Sequence, residues 1–216
     1  MATEIIGSAI LSSILNVISQ GLLVPVIIIL LIFVVFVIIT LGGLITEYLN
    51  RRKIITTDIK DIIYKISDSQ NKEELQNTIK STNLPESQKT ILLELTQTEN
   101  IGVEAREALA NNLIEKEESK TEKILAKTDT VTRIGPTLGL MGTLIPMGPG
   151  LAALGSGDIN TLASAIIVAF DTTVVGIGAG ALSYCISKIR RQWYDDYLSN
   201  LEALVDTVLE LMKQGV

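Results

Sequence analysis

The sequence predicts an all-α integral membrane protein: three transmembrane helices, an N-terminal interfacial helix and a helical cytoplasmic domain. Three observations predict it. Of 216 residues, 47% are hydrophobic and only 19% charged. The mean hydropathy of +0.41 is high for a soluble domain of this size. Finally, three apolar stretches are each long enough to cross a bilayer, which takes about 20 residues at about 1.5 Å apiece.

The stretch "TEIIGSAILSSILNVISQ" places Ser8, Ser12, Asn16 and Ser19 opposite Ile6, Ile10, Leu11, Ile14 and Ile18. That division suits an amphipathic helix over 1–20 lying in the outer interface. A first span over 21–46 follows, and its core from Leu22 to Ile45 carries no charge. No basic segment precedes it and it is too long for a signal-peptide core, so it is expected to be retained. Residues 47–132 read as a cytoplasmic helical domain. A helix starts near Asn71-Lys72-Glu73-Glu74, and "NLPES" at 83–87 breaks the chain before another from about Ser87 to Leu95. A long helix from Val103 to Thr132 is expected to turn Ala105, Ala108, Leu109, Leu113, Ile124 and Leu125 inward. The alternating Glu and Lys of 115–123 suit a solvated face laced with i,i+4 pairs, or a face that packs on copies of itself.

The second span covers 133–154 and the third 159–187, joined by an outer turn at 155–158, "GSGD". After Arg191 a stripe of Tyr194, Leu198, Leu201, Leu204, Val205, Val208, Leu209 and Met212 continues through a C-terminal helix over 188–216. Both later spans are thus expected to run on beyond the membrane as long helices.

Cations set the expected topology. All 18 Lys and Arg residues fall in 51–133 and 188–213. By the positive-inside rule both polar stretches, and so the C-terminus, are cytoplasmic, with the N-terminus and the 155–158 turn outside. Arg51, Arg52 and Lys53 are expected to anchor the first span, and Lys188, Arg190 and Arg191 the third. Trp193 and Tyr194 then fall at headgroup level.

The chain has no histidine and one cysteine. That excludes a histidine metal site, a histidine general base, a Ser-His-Asp triad and an intrachain disulfide frame. No cofactor, metal or nucleic acid is expected. The hairpin of spans two and three is rich in small residues instead. Gly135, Gly139 and Gly142 form one stripe beside Pro136, and Thr172, Gly176 and Gly180 form another. Such stripes let helices approach closely. Within this run stands Asp171, with no other charge between Asp158 and Lys188. A membrane carboxylate is costly and is a functional hypothesis by default.

"EKILAKTDTVTRIGPTLGLMGTLIPM" followed by "LASAIIVAFDTTVVGIGAGALSY" resembles the MotA/TolQ/ExbB family of ion-channel stator subunits. The likeness covers about residues 103–200. Thr143 matches the threonine of the "GLLGT" motif, and Thr173 that of the third helix, with Gly176 three residues on. The three-span layout is most similar to the TolQ/ExbB branch. What the resemblance implies is a homopentamer whose second and third helices line a central passage. Inside it would sit two copies of a single-span ExbD-, TolR- or MotB-like partner bearing a membrane Asp, in a cytoplasmic (inner) membrane. Proton flow, or sodium flow, would drive mechanical work. Thr143, Thr172, Thr173 and Asp171 are the expected ion-pathway residues; Gly135, Pro136, Gly139, Gly142, Gly176 and Gly180 are the packing residues. A threonine hydroxyl both donates and accepts, so it can satisfy a carboxylate in either protonation state.

The chain departs from the family where the ExbB branch usually has a glutamate, five residues before the threonine: here stands Val168. Asp171 and Thr173 point about 160° apart on a helix. If Thr173 lines the passage, Asp171 is expected to face the second helix or a neighbouring subunit, satisfied by Thr143 or water. It stands as a structural acid, an ion relay, or the mate of a basic group on another chain.

Two rivals belong to other classes. "GSGD" matches the GxGD pattern of intramembrane aspartyl proteases, with Asp171 as the other acid. The order of the motifs is wrong for it, and thirteen residues of helix separate the acids by about 20 Å. The turn reading instead makes Asp158 the cap of the third helix. A passive membrane scaffold or receptor would leave Asp171 unexplained.

Overall fold

The computed structural model describes residues 8–54, 59–98 and 101–214; the side chains of Arg51, Arg52 and Lys53 lie outside that description. Among the described residues all regular structure is α-helical, in the order α1 (Ser8–Ile54), α2 (Ile59–Ser67), α3 (Lys72–Ser81), α4 (Glu86–Thr96), α5 (Val103–Gly155) and α6 (Ile159–Lys213). Three of them, α1, α5 and α6, are long and apolar enough to cross a membrane. Contacts divide the chain into one unit of 1–42 with 126–187 and another of 43–125 with 188–216.

In the first unit, Val26 and Leu30 of α1 are buried with Ile145 of α5, and Leu23, Leu138 and Val175 pack around them. Outside this small core the unit is covered in apolar side chains: Phe170 is 68% exposed and Val174 69%. A patch of that extent in water would cost about 25 cal/mol for each Å² exposed, so it belongs to lipid or to other protein surface. α1 has no break at residues 20–21, where a separate interfacial helix was expected to end; it runs on through Pro25. Four residues before that proline, Gly21 lies within the same helix. The serine stripe and the isoleucine stripe of 10–18 are both exposed, so neither face is covered by the described residues.

The second unit has a conventional core. Ile62 and Ile66 of α2, Leu75 and Ile79 of α3, and Ile91, Leu92 and Leu95 of α4 close over Ala110 and Leu113 of α5. The C-terminal stripe Leu201, Leu204, Val205 and Val208 completes it, with Leu209 and Met212 at the margin. α3 begins at Lys72, and its N-cap Asn71 makes no side-chain cap bond. Glu74 folds back to accept the Gln70 N–H at 3.0 Å instead.

The inward face of α5 differs from the expected one. Ala105, Ala108 and Ile124 are exposed. The buried positions are Arg106, Ala110, Leu113, Glu117, Thr121 and Leu125, which share one helical face. Polar residues turn inward because each finds a partner. Arg106 donates to Thr98 O at 3.1 Å and so closes the α4–α5 loop. Glu117 accepts from Tyr197 Oη at 3.1 Å and pairs with Lys120 at 2.6 Å. The Tyr197 hydroxyl also meets Ser87 Oγ at 2.8 Å. The other charges of the run are exposed within the single chain, and one carboxylate is withdrawn from it.

Arg190 is likewise not a free anchor. Its side chain is only 12% exposed and lies 3.4 Å from Glu47, a charge contact rather than an aligned hydrogen bond. The guanidinium sits 3.2 Å from where a Cβ of Gly43 would stand. One turn on, Trp193 stacks on Tyr48 with ring centroids 6.1 Å apart. Lys188 and Arg191 are exposed.

Candidate functional site in the α5–α6 seam

Within the first unit α5 and α6 lie antiparallel and meet backbone to backbone. A Cβ on Gly176 would stand 2.6 Å from Gly135 O and 2.8 Å from Gly139 Cα. On Gly139 it would be 3.2 Å from Thr172 O and 3.4 Å from Thr173 Cα. On Gly142 it would stand 2.6 Å from the Cβ and Oγ1 of Thr172. The two glycine stripes thus face each other.

Three prolines lie inside α5, and the helix continues through them. The ring of Pro136 occupies the space that a Cβ of Gly180 would need, at 2.8 Å, and Thr132 O comes within 3.4 Å of the same point. Thr132 is four residues before Pro136, so its carbonyl loses its helical donor to the proline. Gly180 leaves room at that disturbed turn.

The threonines divide by what their hydroxyls do. Thr143 donates to Leu140 O at 2.7 Å, and Thr172 to Val168 O and Ala169 O at 2.9 and 3.0 Å. Both are satisfied by their own helix. Thr173 Oγ1 is buried and has no hydrogen-bond partner among the described residues. Asp171 is exposed and faces neither α5 nor Thr143. Thr172 is the residue that packs on the second helix; Asp171, expected to face either that helix or a neighbouring subunit, turns away from α5. The reason is the register: the glycine contacts fix 172, 176 and 180 on the inner face and turn 171 away.

The seam holds further polar residues that the reading of motifs passed over. Ser187 Oγ donates to Asp129 Oδ1 at 2.5 Å. Ser183, Ser187 and Thr128 are buried, and Ser183 Oγ has no partner among the described residues. Their signal in the sequence was weak, because serine and threonine at helical spacing are ordinary in membrane helices.

At the other end, Gly157 takes the turn with φ +83°, a conformation that favours glycine. Asp158 caps α6: Oδ1 accepts the Thr161 N–H at 3.1 Å and Oδ2 the Thr161 hydroxyl at 2.5 Å. The Thr161 hydroxyl, then its amide, hold this carboxyl below its ordinary range. Both oxygens of Asp158 are thereby occupied. Among the described residues no group of His, Cys, Asp and Glu could hold a metal ion.

Three apolar helices, two of them joined in a glycine-lined hairpin, define a multi-pass all-α membrane protein whose later spans are built for close helix contact. Residues 51–203 match the MotA/TolQ/ExbB proton channel family, and the chain belongs to it. No curated protein and no solved structure matches the chain. The family is one of proton channels, not of enzymes.

Proposed function

We propose that this chain is the channel-forming stator subunit of a three-span, TolQ/ExbB-like machine that couples proton flow to mechanical work through a single-span partner. The observation that carries the reading is the Thr173 hydroxyl. Its neighbour Thr172 returns its proton to the helix backbone, as threonines in helices commonly do. Among the described residues Thr173 Oγ1 is left buried without a mate. An orphan hydroxyl in an apolar setting costs about 1–3 kcal/mol unless something arrives to bond it. A carboxylate carried on a partner's helix is such a group, and it can be served in either protonation state.

Five copies would enclose the passage, with the apolar faces of α1 and α6 turned to lipid and to neighbouring copies. Asp171, on the open face of α6, would meet a neighbouring copy. Thr143 stands at the same level as Thr172 and completes the polar belt. By the positive-inside rule the N-terminus and the 155–158 turn would lie outside, and 47–132 and 188–216 in the cytoplasm. Residues 21–46, 133–154 and 159–187 would be the parts of α1, α5 and α6 within the membrane. The N-terminal part of α1 would lie at the outer interface.

The test is native mass in lipid nanodiscs, followed by ion flux in liposomes holding the complex with its partner. A five-fold mass, and flux abolished by Thr173→Val with assembly intact, are expected. A persistent monomer or dimer, or undiminished flux in Thr173→Val, refutes the reading.

A further inference from the structure

The second unit carries exposed charges in stripes of a single sign. On α5, Lys116, Lys120 and Lys123 recur at i, i+4 and i+7, and all three are exposed. On α6, Asp195, Glu202 and Asp206 are exposed at i, i+7 and i+11, on the side opposite the buried Leu201, Leu204, Val205 and Val208. Such sorting works against each helix alone. Lys116 and Lys120 are like charges one turn apart, as are Glu202 and Asp206, and like pairs at that spacing destabilise a helix. Among the described residues Lys120 pairs with Glu117 at 2.6 Å, whereas Lys116, Lys123, Asp195, Glu202 and Asp206 have no ion pair.

The two stripes also match in level. Glu117 meets Tyr197 at 3.1 Å and Glu107 meets Lys213 at 2.6 Å, so α5 and α6 run antiparallel here too. Counted from Glu117 and Tyr197 at about 1.5 Å per residue, Asp195 stands about 1.5 Å in height from Lys120 and about 4.5 Å from Lys116. Glu202 stands about 6 Å from Lys116 on the same count. Copies side by side in one bilayer share one height, so the basic stripe of one comes level with the acidic stripe of the next.

We propose that the lysine stripe of α5 in one copy docks on Asp195 and Glu202 of α6 in the neighbouring copy. The occupant is a second copy because the two surfaces complement each other in charge, in spacing and in level. The contact is head to tail: each copy offers a basic flank to one neighbour and an acidic flank to the other, an arrangement that closes into a ring in one membrane plane. An ammonium has three donors, so Lys120 can keep Glu117 while it meets Asp195 of the next copy. The inference rests on the stator reading only for copies that stand side by side in one orientation.

The test uses the full chain in nanodiscs of zwitterionic lipid, prepared from equal parts of isotope-labelled and unlabelled protein. A zero-length carbodiimide joins a lysine amine to a carboxylate only where the two touch, and mass spectrometry finds the bonds that link a labelled to an unlabelled copy. Such bonds are expected between Lys116 or Lys120 and Asp195 or Glu202. Lys116→Glu with Lys123→Glu should lower their yield at least about tenfold, and Asp195→Lys with Glu202→Lys should do the same. Combining the four substitutions should restore the bonds with amine and carboxylate exchanged. Loss of fold is read separately: Lys116→Glu sets an acid four residues before Lys120, a favourable pair, so helicity should be no lower. No bonds between copies in the parent, a yield indifferent to either reversal, or a combination that restores nothing overturns the proposal. Lysines shielded from acetylation by anionic vesicles, with no bond between copies, make a lipid surface the occupant and overturn it too. A five-fold mass without the bonds defeats this inference alone. Absence of ion flux from the complex with its partner defeats the stator reading, while the bonds still judge the contact.

Discussion

Replacing Gly176 by alanine should separate packing from propensity in a single atom. The added Cβ would stand 2.6 Å from Gly135 O and 2.8 Å from Gly139 Cα, both backbone atoms that no rotamer change can move. Ordinary contact begins at 3.4 Å, so the helices must part by 3.4 − 2.6 = 0.8 Å at that point. Overpacking of this kind costs about 1–3 kcal/mol, and a rigid backbone neighbour puts the cost in the upper half of that range. Against it, alanine is favoured over glycine within a helix by about 0.8–1.0 kcal/mol. Gly178 supplies the control, since a Cβ there meets nothing within 4 Å. Gly178→Ala keeps the propensity gain without the clash. The difference in unfolding free energy between the two variants then measures the seam alone, and is expected at about 2–3 kcal/mol. Titration of the purified protein from mild into denaturing detergent, followed by helicity and by cross-linking of paired cysteines across α5 and α6, reads it. Partner-dependent flux should fall in Gly176→Ala and persist in Gly178→Ala. Equal stability and equal flux in the two variants would refute the argument that the seam is a backbone contact.

Three other outcomes follow from single contacts. Because Asp158 is held below its ordinary pKa by Thr161, its cap contributes at pH values above about 4 and is lost as pH falls through the depressed value. Hydrogen exchange at residues 159–162 should accelerate in acid, and Asp158→Ala should show that fast exchange already at neutral pH. Tyr197→Phe withdraws the hydroxyl from buried Glu117 and from Ser87, and should destabilise the second unit by about 1–2 kcal/mol in thermal unfolding. Unchanged unfolding would mean that Lys120 alone satisfies the carboxylate. Glu47→Gln leaves the largely buried Arg190 without its counter-charge and should cost about 1–3 kcal/mol, detected as faster proteolysis near residues 43–60.

The sequence by itself determined the spans and the family. Runs of apolar residues over Leu22–Ile45 and the glycine-rich hairpin are local, one-dimensional signals, and bilayer thickness converts length directly into a span. It also determined the cap at Asp158 and the C-terminal stripe from Leu201 to Val208, because helix termini and helical periodicity are set by residues three or four apart. Only the tertiary structure decided which face of each helix is covered. An angle of about 160° between Asp171 and Thr173 was legible in the sequence, but which of them turns inward depends on the register of α5 against α6. Backbone contact at Gly139 and Gly176 fixes that register, puts Thr172 inside and leaves Asp171 outside. The same holds for α5, where Ala105 and Ala108 yielded the inner face to Arg106 and Glu117. Hydrophobicity ranks side chains by their cost of burial. A charged group whose partner comes from 8 or 80 positions away escapes that ranking, because the bonds that offset its burial exist only once the chain has folded.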